Sequence, residues 1–106
     1  MEFLTRMEEI LLLTVHRLGP EAYGVTIRAA VEELLGKSVS VGAVYVPLDR
    51  LAERGDLEIS YSDPTPERGG RRKKYFKLTQ DGLKILGETK SLNDALWENV
   101  PSLDPV

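Results

Sequence analysis

From Leu4 to Leu18 apolar residues recur at helical spacing (Leu4, Met7, Leu11, Val15, Leu18), and Ile10, Leu12 and Leu13 put hydrophobic groups on the remaining faces as well. A helix apolar nearly all round needs cover on more than one side, and in so short a chain part of that cover falls to a second copy. Gly19-Pro20 ends it. A second helix is predicted from about Ala22 to Leu35, with Ile27, Val31, Leu34 and Leu35 inward, Glu32 and Glu33 outward, and Gly36 as its stop. Ser40 is an N-cap candidate for a third helix reaching Arg54, stopped by Gly55, with Val44, Leu48 and Leu51 as its core stripe. Pro47 is tolerated there if helical bonding begins near Ala43 and predicts a kink if it begins at Ser40.

Beyond the third helix the period changes from about four to two. Leu57, Ile59 and Tyr61 alternate with Glu58, Ser60 and Ser62, then Lys74, Phe76 and Leu78 alternate with Lys73, Tyr75 and Lys77. The turn-rich stretch 63–70 between them makes a hairpin. With Phe76 and Leu78 inward, the opposite face presents Lys73, Tyr75 and Lys77, a basic stripe with an aromatic between two amines. Thr79 caps a last helix beginning near Gln80, in which Ile85, Leu92 and Leu96 recur beside Leu86, Trp97 and Val100. Gly87 and the polar run 88–91 weaken its middle, so a break is expected there.

The chain has 106 residues, 42% hydrophobic and 29% charged, enough for one compact domain. It contains no cysteine, which excludes disulfides, thiolate metal sites and cysteine nucleophiles. Its longest apolar run, 10–13, is far below the roughly 20 residues that span a bilayer, and the N-terminus lacks a leader pattern, so a soluble cytoplasmic protein with no membrane partner is expected. With one histidine, no glycine-rich phosphate loop and no paired carboxylates at catalytic spacing, the sequence reads as neither an enzyme nor a metal or cofactor protein.

Net charge is −3, yet residues 68–77 carry six positive charges and no negative one, leaving the other 96 residues at −9. A concentrated basic patch on an acidic body suits contact with a polyanion in one orientation. Its position on the hairpin turns a solvated charge run into a candidate contact. Three helices, a hairpin and a trailing helix, in that order, are the layout of a winged helix-turn-helix, mainly α with a small β-hairpin, whose third helix enters the major groove while the wing reaches phosphates.

The residues also resemble the PadR-like transcriptional regulators, through 9–13 and 18–24, through Gly42-Ala43-Val44-Tyr45 with Leu48-Asp49-Arg50-Leu51 and Arg54-Gly55, and through 64–76 and 78–82 across the wing. The resemblance covers residues 8–86 and implies a homodimeric DNA-binding regulator, a repressor, with the last helix packed on the partner's first. On that reading residues 1–79 are the DNA-binding domain and 80–106 the dimerisation helix and tail. Leu4, Leu11, Ile85, Leu92, Leu96 and Trp97 are then the dimer contacts. Some family members take up planar aromatic compounds at the dimer interface with a Trp of the last helix. Trp97, about one turn later than that pattern, is the candidate for a small aromatic effector or for dimer packing.

Helix 40–54 and wing 63–77 supply the expected DNA contacts. Arg68, Arg71 and Arg72 offer planar forks for phosphate oxygens, Gly69 and Gly70 permit close backbone approach, and Lys73, Lys74 and Tyr75 continue the strip. Ser40, Val41, Tyr45 and Val46 offer hydroxyls and methyl contacts rather than bidentate base readers, so shape and half-site spacing on a double-stranded operator carry much of the specificity. Arg50 is expected to bridge within its own domain rather than reach DNA, and His16 to lie at the surface or an interface. The alternative reading is a winged-helix module that binds another protein and not DNA, kept open by Asp49, Glu53 and Asp56 around the third helix.

Overall fold

The computed structural model describes residues 3–62 and 72–105. In chain order they form α1 (Arg6–Leu18), a 3₁₀ turn (Gly19–Glu21), α2 (Gly24–Leu35), α3 (Val41–Glu53), β1 (Leu57–Tyr61), β2 (Lys74–Leu78) and α4 (Gln80–Trp97). The expected wing-tip contacts Arg68, Gly69, Gly70 and Arg71 lie outside the described residues.

Helix α1 begins two residues after Leu4 because Thr5 and Glu8 form a capping box. The Thr5 hydroxyl accepts from the Glu8 N–H at 3.1 Å and the Glu8 carboxylate from the Thr5 N–H at 2.7 Å. Leu11, Leu12 and Val15 of α1 then enter a core shared with Ile27 and Val31 of α2, Val44, Leu48 and Leu51 of α3, and Leu57, Phe76 and Leu78 of the hairpin. Leu11 is fully buried inside its own protomer, which overturns its assignment to a dimer contact; Leu13, not Leu11, faces outward. The inward placement of Leu34 and Leu35 is also overturned. Leu34 is 61% exposed and Leu35 36%, because they share the Val31 face but occupy the last turn of α2, beyond the helices that cover Val31.

Side chains lock the turn between α2 and α3. The Arg28 guanidinium donates to the Val39 carbonyl at 3.0 Å, and the Val39 N–H donates to the Glu32 carboxylate at 2.9 Å. Gly36 closes α2 in the left-handed region, φ 68°. Ser40 caps α3 as expected, its hydroxyl accepting from the Ala43 N–H at 3.1 Å. Since α3 starts at Val41, Pro47 is interior, and its missing N–H leaves the Ala43 carbonyl without an intrahelical donor.

The hairpin is antiparallel, in register Leu57↔Leu78, Ile59↔Phe76 and Tyr61↔Lys74. The Phe76 N–H also donates to the Ala22 carbonyl, and Tyr23 bridges Tyr75, so the start of α2 runs along the outer edge of β2. At the opposite end Arg54 pairs with the buried carboxylates of Asp56 (2.8 Å) and Glu8 (3.3 Å), joining the end of α3 to the start of α1 and the entry to β1. Helix α4 docks on the same corner. The Thr79 N–H and hydroxyl donate to the Asp56 and Gly55 carbonyls at 3.1 and 2.6 Å, and Gly82 lies against the Asp56 carbonyl.

The expected break near Gly87 is absent, and α4 runs unbroken for 18 residues. Two bonds within the helix and one to α1 accompany it there: the Thr89 hydroxyl donates to the Ile85 carbonyl, Lys90 pairs with Asp94, and the Asn93 amide donates to Glu9 of α1. The helix leaves the core as it proceeds. Ile85, Leu86 and Leu92 are half-buried, whereas Leu96 and Trp97 are each 63% exposed.

Candidate nucleic-acid interface

Burial of Val44, Leu48 and Leu51 turns Gly42, Val46, Asp49, Arg50 and Glu53 of α3 to the outside, and Ser40 and Val41 are exposed at its start. Arg50 makes no ion pair or side-chain hydrogen bond among the described residues, so the bridge expected of it within the domain is not formed.

Tyr45 is half-buried, with its ring lying directly over Gly24 at the start of α2. A Cβ at this position fits only if the Tyr45 ring moves aside, because a methyl there would meet the phenol oxygen. The pattern Tyr23-Gly24 thus packs against Tyr45 and Tyr75. The exposed apolar groups on that part of α3 are Val41 and Val46, and Val41 shares the α2–α3 groove with the exposed Val25. Val46 is among the outward residues expected to offer methyl contacts, whereas the sequence pattern does not single out Val25, although it falls on an outward position of α2.

The basic stripe expected on the outer hairpin face is rearranged. Tyr75 is not a free aromatic between two amines: it is half-buried edge-on against Tyr23, ring centroids 5.3 Å apart at 64°. Lys73 lies 4.4 Å over the Tyr23 ring. Lys74 reaches the Asp49 carboxylate of α3 at 2.7 Å. Both rearrangements join residues distant in sequence, and the alternation of a strand carries no signal for either. Arg72 is exposed where the described part of the wing resumes.

These side chains converge. Tyr23, Gly24, Val25 and Tyr45 line one concave surface with Arg72, Lys73 and Lys74, and it continues through Val25 and Tyr45 into a groove with Arg28, Ala29, Glu32 and Val41. Of the charges that favoured a protein-binding module, Asp56 is buried against Arg54 and Asp49 is paired with Lys74. A separate cavity of about 590 Å³ lies between the end of α1, β2 and the start of α4, lined by Val15, His16, Pro20, Leu78 and Leu83 among others. Trp97 lines none of these three spaces. Among the described residues no His, Asp and Glu cluster is arranged to hold a metal ion, and no helix is long and apolar enough to cross a membrane.

The family model for the transcriptional regulator PadR-like family matches residues 11–88. Solved structures share the fold. A PadR-like transcription factor from Bacteroides fragilis is 29% identical, with 85% of this chain and 82% of that one covered and a TM-score of 0.74. A complex structure of hsRosR is 26% identical, with coverage of 92% and 80% and a TM-score of 0.71. A PadR family transcription regulator from Clostridium difficile R20291, at 21% identity, 87% and 91% coverage and a TM-score of 0.69, agrees in fold alone. No curated protein matches the chain.

Proposed function

The chain belongs to the PadR-like family of transcriptional regulators, and from that premise we propose that it is a homodimeric, sequence-specific repressor that places α3 in the major groove of cytoplasmic operator DNA and its wing on the flanking phosphates. Members of this family are transcription regulators and not enzymes. The observation that carries the reading is the convergence of Arg72, Lys73 and Lys74 with Tyr45 of α3 and the start of α2 on one concave surface, in a protein otherwise net negative. Attraction confined to one face orients the protein on a polyanion before any base is read. On this reading Arg68, Gly69, Gly70 and Arg71 of the wing contact the phosphate backbone, while Ser40, Val41 and Val46 lie against base edges, the valines meeting thymine methyls.

Residues 80–106 supply the dimer contact. Leu96 and Trp97, with Val100 and Leu103 beyond them, are exposed apolar groups that a second copy covers, and the half-buried Leu4, Ile85 and Leu92 are the further contacts of this reading. Trp97 is the stacking surface there for a small aromatic effector. A two-fold pair sets half-sites about one helical turn apart, or a multiple of that.

Enrichment of the purified protein on random duplexes, read by sequencing, tests the proposal. The expected result is a palindromic motif bound with a log–log salt slope of roughly −0.9 per phosphate contacted. Arg71→Glu with Arg72→Glu should abolish binding and leave the dimer intact. Recovery of no motif, or binding indifferent to salt and to those substitutions, overturns it.

A further inference from the structure

We propose that Asp49 is a base-reading residue, a carboxylate on the groove-facing side of α3 that is offset by Lys74 and accepts a hydrogen bond from the exocyclic amine of a cytosine. The inference rests on the DNA-binding reading and adds to it a residue and a base.

Asp49 stands opposite the buried Leu48 and Leu51, on the outward side that also carries Val46 one turn earlier, and its side chain is 52% exposed. A bare carboxylate at that place would be repelled by the phosphates on both walls of the groove, and the repulsion would penalise every sequence alike. The structure supplies the remedy. Lys74 Nζ donates to Asp49 Oδ1 at 2.7 Å, and Asp49 makes no other side-chain hydrogen bond or ion pair among the described residues. The pair is electrically neutral, yet Oδ2 keeps its full capacity as an acceptor.

An acceptor presented to the major groove discriminates among bases by what stands there. Guanine offers O6 and N7 and thymine O4, all acceptors that oppose a carboxylate; adenine sets its amine beside the acceptor N7; cytosine presents its N4 amine without an adjoining acceptor. Cytosine is therefore the matched base. Lys74 is also the first residue of β2, so the bond that offsets the charge fixes the root of the wing against α3. Base reading by α3 and phosphate contact by the wing thus share one positioning residue, Lys74.

The test repeats the random-duplex enrichment with the full-length protein and three variants. The wild type should require cytosine at one symmetric position of each half-site, with affinity falling about tenfold when that pair is replaced. Asp49→Ala should flatten discrimination there to within twofold and leave the other positions of the motif unchanged. Asp49→Asn should move the preference from cytosine to adenine, whose N6 and N7 match an amide. Lys74→Met should keep the motif and weaken binding to all duplexes. A surface tether alone predicts no change of base with Asp49→Asn. Retention of cytosine by Asp49→Ala, or a wild-type motif without a fixed cytosine, overturns the inference and leaves DNA binding standing. Enrichment of no motif by the wild type overturns both. Unfolding midpoints of the Asp49 variants, expected to match the wild type, confirm that the fold is intact.

Discussion

Glycine-to-alanine substitution at two positions of α4 should shift stability in opposite directions. In a helix interior alanine is favoured over glycine by roughly 0.8–1.0 kcal/mol, so on propensity alone Gly82→Ala and Gly87→Ala should both stabilise. At Gly87 an added Cβ meets nothing within 4 Å, and the full gain of about 1 kcal/mol is expected. At Gly82 the added methyl lands on the Asp56 backbone carbonyl oxygen. No side chain is available to swing aside, and ordinary van der Waals separation returns only if the first turn of α4 withdraws by roughly 1 Å. That withdrawal stretches the bond from the Thr79 N–H to the same carbonyl, 3.1 Å, and the one from the Thr79 hydroxyl to the Gly55 carbonyl, 2.6 Å. Overpacking of this kind costs about 1–3 kcal/mol and a weakened hydrogen bond about 1 more. Against the propensity gain, Gly82→Ala is left destabilising by about 1–3 kcal/mol. Urea unfolding at one fixed protein concentration, which holds any dimer contribution constant, measures both. Midpoints moving the same way for the two variants would refute the close docking of α4 on Asp56.

Replacing Arg54 with Met strands the buried carboxylates of Glu8 and Asp56 and should cost about 3 kcal/mol, measured by the same unfolding curves. Gly24→Ala should leave the fold cooperative but expel Tyr45 from its seat over α2, weakening operator binding; Gly24→Ala combined with Tyr45→Ala should unfold less readily than the sum of the single changes implies, as a double-mutant cycle would show. Leu96→Asp together with Trp97→Ala should weaken self-association at least tenfold in sedimentation equilibrium without lowering the helical circular dichroism of the DNA-binding residues, since both side chains are outside the core.

Features fixed by local chemistry were legible in the sequence. The Ser40 and Thr79 caps, the Gly36 stop, the core stripe of α3 and the inward Phe76 and Leu78 all depend on residues within a turn or two, and all stand where the pattern put them. Features depending on where a neighbouring element ends were not. Periodicity puts Leu34 on the same face as Val31, but only the extent of the adjoining helices determines that Leu34 lies uncovered. In α1 apolar groups lie on every side, so periodicity does not decide which of them the protomer itself covers: Leu11 is buried in the core and Leu13 is exposed. The same limit holds at the candidate interface. The basic residues of the wing were visible as composition, whereas the engagement of Lys74 with Asp49 and of Tyr75 with Tyr23 follows from chain crossings 25 and 52 residues apart.

The shape of the protomer bears on how these surfaces work together. Its Cα radius of gyration is 16.2 Å, with extents of 59 × 30 × 20 Å, against about 13 Å for a compact domain of about this length. Helix α4 carries a single buried residue, Gly82, among its 18, so little of it is packed into the core. Isolated helices of this length are marginal in water and take most of their stability from a packed face, yet the far half of α4 turns Leu96 and Trp97 to solvent. A second copy seated there would order the far half of α4. The near end of the same helix is pinned by Thr79 and Gly82 to the Gly55–Asp56 corner, which Arg54 ties to the end of α3. On the proposed reading, pairing of two chains and placement of their α3 helices would thereby be linked through one connection. Variants that loosen the Asp56 corner should therefore blur the spacing between half-sites before they abolish binding to either one.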